Sequence, residues 1–178
     1  MIKDLIIRQE NKSDYKKVFK LIEKAFASEK MSDHQEQFLV EKLRKSDNFI
    51  PKLSLVAELK SEIVGFILLT PVKIQNSNTE FQTLALAPVA VLPKFQKQGI
   101  GGSLIRKSHE LARNLNYNSV VLLGHEDYYP KFGYLPASNF QIEFPVQIPE
   151  ENFMAIELED NALKEVSGKV VYPPEFNI

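Results

Sequence analysis

Three of the chain's seven glycines, Gly99, Gly101 and Gly102, fall within four positions of the stretch VAVLPKFQKQGIGGSLIRKS at residues 89–108. A strand-like run ends at its start, a turn with permissive backbone dihedrals follows, and a helical period begins after the glycines. A helix that starts there points unpaired N–H groups and the positive end of its dipole at whatever lies in front, and a pyrophosphate suits such a terminus. The local charge agrees: residues 93–108 contain Lys94, Lys97, Arg106 and Lys107 and no acidic residue, on a chain of net charge -1. Known nucleotide and hydrolase motifs do not fit. The P-loop pattern is absent, a dinucleotide fingerprint would need glycine where Leu104 stands, and Gly101-Gly102-Ser103-Leu104-Ile105 is not a nucleophile elbow. On this fragment alone an anion cradle and simple close packing of helix on strand are both open.

The elements that must position this turn are legible from hydrophobic period. Residues 2–8 read as a strand, and Ser13 as the N-cap of a helix carrying Tyr15, Val18, Phe19, Ile22, Ala25 and Phe26 on one face. Ser32-Asp33-His34-Gln35 resembles a capping box for a second helix that carries Phe38, Leu39 and Leu43. From Leu53 the period becomes two: strands at 53–59 and 63–69 flank the turn Lys60-Ser61-Glu62, and a third strand spans 81–92 after a polar loop at 75–80. Pro88 lacks an N–H, so the ladder of that third strand is expected to break, bulge or lie exposed there. A helix over residues 101–116 and a short strand, SVVLL at 119–123, follow, the strand parallel to 81–92. QIEF and FMAIEL read as two late strands, and residues 159–178 as a peripheral end.

Composition sets the frame. With 178 residues, 44% hydrophobic and 25% charged, the chain reads as one globular domain, residues 1–178, of α/β (α+β) class. Net charge near zero argues against nucleic acid or an anionic membrane as partner. The absence of cysteine leaves no disulfide and no thiolate site, and no apolar run reaches signal-peptide or membrane-span length, so a cytoplasmic protein is expected. His34, His109 and His125 are far apart in sequence, and no metal is expected.

Gln96-Lys97-Gln98-Gly99-Ile100-Gly101 matches the acetyl-CoA motif of the GCN5-related N-acetyltransferase (GNAT) family, Gln or Arg-x-x-Gly-x-Gly or Ala. Val89-Ala90-Val91-Leu92-Pro93 resembles the strand before that motif, Tyr128-Tyr129-Pro130-Lys131-Phe132-Gly133-Tyr134 resembles a later family segment, and the element order resembles the family's over residues 2–158. The resemblance implies a mixed, mostly antiparallel sheet flanked by helices and splayed at its fourth strand. It implies that Val89, Ala90 and Val91 offer backbone groups to the pantetheine arm of acetyl-CoA, the co-substrate, as though it were an added strand. The pyrophosphate would fall to the turn of Gln96, Lys97, Gln98, Gly99, Ile100, Gly101 and Gly102, held by the N–H groups from Lys97 onward.

The implied activity is that of an acyltransferase: a neutral primary amine of a small molecule or peptide attacks the thioester directly, and a strand N–H, that of Val91, stabilises the oxyanion. Tyr129 stands at the position of the family's general acid, which protonates the departing thiolate, and Tyr128 reads as a packing residue. The base is less legible. Residues 83–92 and 119–123 hold no carboxylate, which leaves His125, Glu126, Glu58 or a water chain. The connection at 124–130 is shorter than the family's and lacks its Asn-x-x-Ala helix, while Asn116 and Asn118 receive no role. A non-enzymatic acyl-CoA-binding module of the same fold is the alternative. The acceptor amine and the oligomeric state, a homodimer included, are left open.

Overall fold

The computed structural model describes Ile2 and residues 4–178. Its elements are mostly those the period predicts. Strand β1 is Leu5–Gln9, helices α1 and α2 are Tyr15–Phe26 and Glu36–Leu43, β2 is Ser54–Leu59, β3 is Glu62–Gln75 and β4 is Glu80–Val91. Helix α3 is Ile100–Asn114, β5 is Ser119–Leu123, and β6 to β9 are Leu135–Pro136, Ile142–Glu143, Phe153–Glu157 and Gly168–Val171. The pairings among the described residues are mostly antiparallel, with β4–β5 and β7–β9 parallel, so the fold class is the mixed, helix-flanked sheet expected. Contacts divide the chain into two compact units, one running to Leu69 and taking in Ala87–Leu111, the other made of Thr70–Leu86 and Ala112–Ile178. No helix among the described residues is long and apolar enough to cross a membrane.

In the first unit β1 pairs β2 from Leu5 with Leu59 to Gln9 with Leu55, and β2 turns into β3 through Lys60 and Ser61, both at positive φ, the geometry of a tight hairpin. Helix α1 buries Val18, Leu21 and Ile22. Its start differs from expectation: the cap is built on Asn11, whose N–H donates to the Asp14 carboxylate at 2.8 Å, and Ser13 is exposed. Helix α2 begins at Glu36, because Ser32 Oγ accepts the His34 N–H (2.8 Å) and Asp33 the Gln35 N–H (3.0 Å), turning the chain before the helix. It buries Gln37, Val40 and Leu43, and Phe38, expected on the core face, is 43% exposed with its ring edge-on to Phe19 at 5.3 Å.

A charge network ties these elements together. The Arg44 side chain, 5% exposed, pairs with the Glu10 carboxylate, which is 1% exposed and also accepts from Ser54 Oγ at 2.7 Å. The guanidinium lies 4.0 Å from the Tyr15 ring centroid, stacked as a cation on an aromatic face. Burial pushes the Glu10 carboxyl above its ordinary value, against the pull of Arg44. Arg8 bridges Asp14 (2.7 Å) and Glu58 (2.9 Å), and its hydrogen bond holds the Asp14 carboxyl below the usual carboxylate range. The two carboxyls therefore act in opposite directions in acid: the stability from Asp14 is lost as pH falls through its lowered value, while protonation of Glu10 favours the folded chain.

In the second unit β4 meets β5 in a parallel ladder of Leu84 with Val120 and Ala85 with Val121, and β5 pairs β8 antiparallel from Ser119–Glu157 to Leu123–Phe153. Thr83 Oγ1 lies 2.7 Å from Ser119 Oγ and donates to the Ser119 carbonyl at 3.0 Å, so the buried hydroxyls are satisfied. The end of the chain is not peripheral: β9 pairs with Lys73, Ile74 and Gln75 of β3, and Leu163 and Val170 join the core of Val72, Ile74, Ala85, Val121 and Phe153. QIEF contributes only the two-residue β7.

Removing Arg44 would leave the Glu10 charge buried with a hydroxyl alone. Arg44→Met is expected to cost about 3–5 kcal/mol of unfolding free energy, and adding Glu10→Gln to recover most of it, read as a double-mutant cycle in urea. Equal loss in single and double variants would show that the pair is not coupled.

Candidate active site

The turn after β4 is held from several directions within the first unit. The Leu92 N–H donates to the Val64 carbonyl at 3.0 Å, fixing the end of the strand beside β3. Gln96 Nε2 donates back to the Val91 carbonyl (3.1 Å), and Gln98 Nε2 to the Lys94 carbonyl (3.2 Å). Both glutamine side chains thus brace the turn. Helix α3 is seated over Gly65, where an added Cβ would lie 3.0 Å from both Ile100 Cγ2 and Leu104 Cδ1. Ile100 itself is 1% exposed.

The exposed part of the turn is open and has the backbone geometry of a helix N-terminus that suits an anion. Lys97 has φ 60° and Gly99 φ 87°, the left-handed region that favours glycine, and nothing lies within 4 Å of the position a Gly99 Cβ would take. The helix ladder opens with Ser103 N–H to the Gly99 carbonyl at 3.0 Å, so the N–H groups of Ile100, Gly101 and Gly102 have no partner within the helix. Lys97, Gln98 and Gly99 are exposed, leaving this end open to solvent. Of the strand residues, Ala90 is buried and Val89 and Val91 are half-buried. Strand β4 continues to Val91, beyond the last pair of its ladder with β5 at Ala85, and the Ala87–Pro88 peptide is cis. The strand end and the turn expected to meet CoA thus lie together in this unit.

The catalytic candidates Tyr129, Glu126 and His125 lie in the second unit. Tyr129 is 8% exposed, with its ring packed edge-on to Tyr128 (5.1 Å) and Tyr134 (5.7 Å) and laid against Gly124, where any side chain would overlap it. Burial, with Tyr128 adding to it, pushes the Tyr129 hydroxyl well above its ordinary value, so it stays protonated at neutral pH. His125 is exposed and its carbonyl accepts the Tyr128 N–H at 3.1 Å. Glu58, the remaining candidate, is in the first unit and is engaged by Arg8.

Asn152 is the residue that sequence reasoning missed. Only 7% exposed, it donates from Nδ2 to Glu126 Oε2 (2.9 Å) and to the Gly124 carbonyl (3.1 Å), while its own carbonyl accepts the Gly124 N–H (2.8 Å). One amide thereby fixes the start and middle of the 124–129 loop. Its sequence context, a Pro-Glu-Glu-Asn-Phe run before a strand, carries no sign of this. Asn116 and Asn118 line an open cleft of about 630 Å³ in the second unit, together with Tyr117, Gln82 and Phe81, which none of the candidate site residues enters. Among the described residues no three His, Cys, Asp or Glu side chains gather as a metal would require.

A mixed sheet carrying a glycine turn at a helix N-terminus is the class of fold that suits an anionic cofactor, and comparison gives the family. Residues 6–137 match the acetyltransferase (GNAT) domain, and the chain belongs to this family of acyltransferases. It is 35% identical over 143 residues to the uncharacterized N-acetyltransferase YjhQ of Escherichia coli K12, covering 80% of this chain and 76% of that protein. The crystal structure of the GNAT family N-acetyltransferase YhbS of Escherichia coli in complex with CoA superposes with TM-score 0.87 at 30% identity, over 98% of this chain and 93% of that one. A Brucella melitensis GNAT family acetyltransferase in complex with acetyl-CoA gives TM-score 0.79 at 30% identity, over 97% of both chains.

Asn152→Ala would strip the Gly124 carbonyl and Glu126 of their donor. An expected loss of about 1–3 kcal/mol in urea, with altered ring shifts of Tyr129 by NMR, checks the clamp. Unchanged stability and ring shifts would show that the loop holds itself.

Proposed function

We propose that the protein transfers the acetyl group of acetyl-CoA to a primary amine of a small molecule or peptide, with residues 1–178 acting as one N-acetyltransferase domain. The observation that carries this is the turn from Lys97 to Gly102, with its left-handed residues, its open side and its unpartnered helix N–H groups. Family membership and the CoA and acetyl-CoA complexes of the two similar structures support it. In this reading the N–H groups of residues 97–102 hold the pyrophosphate, and Val89, Ala90 and Val91 line the pantetheine arm. Bracing by Gln96 and Gln98 keeps the turn in shape before the ligand arrives, which lowers the ordering cost of binding.

The lone pair of a neutral amine attacks the thioester carbonyl carbon, the Val91 N–H stabilises the oxyanion, and the C–S bond breaks as the carbonyl re-forms. The thiolate takes its proton from the Tyr129 hydroxyl, which burial keeps protonated until a stronger base appears. The proton lost by the amine goes to Glu126, to His125 or to water. Glu126 is favoured by its fixed orientation: Asn152 holds Oε2, and Oε1 carries no hydrogen bond among the described residues.

A screen for CoA release over monoamines, diamines, aminoglycosides and peptide N-termini tests the reaction. Tyr129→Phe is expected to lower kcat by about 10²-fold or more with the acetyl-CoA Kd unchanged, and undiminished turnover would remove Tyr129 from the chemistry. Gly99→Glu places a carboxylate in the open side of the turn and should abolish acetyl-CoA binding. Retained binding would sink the assigned cradle.

A further inference from the structure

The cleft of about 630 Å³ bounded by the start of β4, the 116–118 turn after α3 and the segment 162–166 lies wholly in the second unit. Its walls are fixed without help from the side chains that line it. The Asn116 N–H donates to the Arg113 carbonyl (2.9 Å) and the Tyr117 N–H to the Ala112 carbonyl (3.0 Å), which closes the end of α3 on backbone alone. The Asn118 carbonyl accepts the Leu158 N–H at 2.7 Å, and at the other wall Glu157 Oε1 accepts the Leu163 N–H at 2.8 Å. A cleft braced in this way is formed before any ligand arrives, and its volume falls in the usual range of a small-molecule site.

The groups it presents are polar and uncommitted. Gln82, Asn116 and Asn118 are exposed along the cleft, and their side-chain amides make no hydrogen bond among the described residues. Other amides of this unit are engaged by the fold: Asn76 Oδ1 accepts the Asn78 and Thr79 N–H groups, and Asn152 clamps Gly124 and Glu126. Half-buried Phe81 and Tyr117 add aromatic surface, above a base to which buried Ile74 and Leu163 contribute. Charge is balanced there. Glu80 lines the cleft but is paired with Lys73 at 2.6 Å, and burial pushes the Tyr117 hydroxyl above its ordinary value, so it stays a neutral donor.

These properties narrow the ligand. A phosphate or carboxylate would meet no cation in the lining, and an ammonium would meet only a carboxylate already paired. A side-chain amide carries donors and an acceptor side by side, and so matches a rigid edge that carries both, as Asn and Gln match N6 and N7 of adenine. Aromatic side chains in turn favour the flat face of a base. We infer that this cleft binds a neutral purine base or nucleoside, its edge met by the amides of Gln82, Asn116 and Asn118 and its face by Phe81 and Tyr117. No residue of the turn at 97–102 and none of Tyr129, Glu126 and His125 lines it, so the site is additional to acetyl transfer and does not rest on that reading.

The test is NMR titration of the full ¹⁵N-labelled chain with adenosine, following the side-chain NH₂ signals of Gln82, Asn116 and Asn118. A saturable shift with a Kd of about 0.1–1 mM is expected, with AMP within about twofold of adenosine and methyl β-glucoside at least about tenfold weaker. Gln82→Ala and Asn116→Ala should each weaken adenosine about tenfold at unchanged Tm, since both side chains are exposed and unbonded. The shift should persist in Gly99→Glu, because the turn is not part of the cleft. No saturation by about 10 mM adenosine, an equal or stronger response to the glucoside, or full affinity in both alanine variants overturns the inference. Loss of the shift in Gly99→Glu would place the bound base at the turn and overturn it too.

Discussion

The close approach of α3 to the sheet at Gly65 is the constraint on which the glycine turn depends. Because Gly65 carries no side chain, Ile100 and Leu104 reach the space its Cβ would fill, and the first turn of the helix is anchored by packing. Fixing Ile100 fixes the direction in which the free N–H groups of Ile100, Gly101 and Gly102 point. The Leu92 N–H to Val64 carbonyl bond fixes the other end of the turn on the same strand, one residue from Gly65. Between two such anchors only a few residues are left to adopt a shape, and Lys97 and Gly99 take the left-handed conformations that close the distance. The order of causes therefore runs from apolar packing to the backbone geometry of the turn.

The second unit solves a comparable problem with polar atoms. The loop at 124–129 has no helix or strand of its own to define it, and the Asn152 amide supplies the missing regularity by bonding to both Gly124 and Glu126. Strand β8, which begins at Phe153, pairs with β5, and the loop leaves from the end of β5. Asn152 thus ties the two strands together at one end of their ladder. A loop tied to a ladder inherits its rigidity, and the buried Tyr129 ring is held at the end of that loop.

The elements were legible in the sequence because hydrophobic period reports which residues must leave water. β5 follows its sequence boundaries, the β2–β3 turn falls where expected, and the glycine turn opens α3 within one residue of its expected start. Failures cluster where polar side chains choose among partners. Ser13 and Asn11 are both good caps, and the choice fell to Asn11 because Asp14 is drawn to Arg8 as well. Phe38 lies outside the buried face of α2 because Phe19 offers it an aromatic edge near the surface. β9 was hidden because it is four residues long and its partner stretch, Lys73 to Gln75, is distant in sequence. The candidate site divides in the same way. The turn has a local signature in glycine and spacing, whereas the roles of Asn152 and Arg44 depend on partners that no local pattern specifies.

Charge compensation in the first unit gives the last step. Burying Glu10 is tolerable only because a guanidinium, an aromatic face and a hydroxyl surround it, and removing any of them leaves an exposed cost in free energy. The pair thus carries two constraints at once: Arg44 caps the C-terminal end of α2 and Glu10 follows β1, so the charge that each neutralises in the other also fixes the end of the helix to the end of the strand.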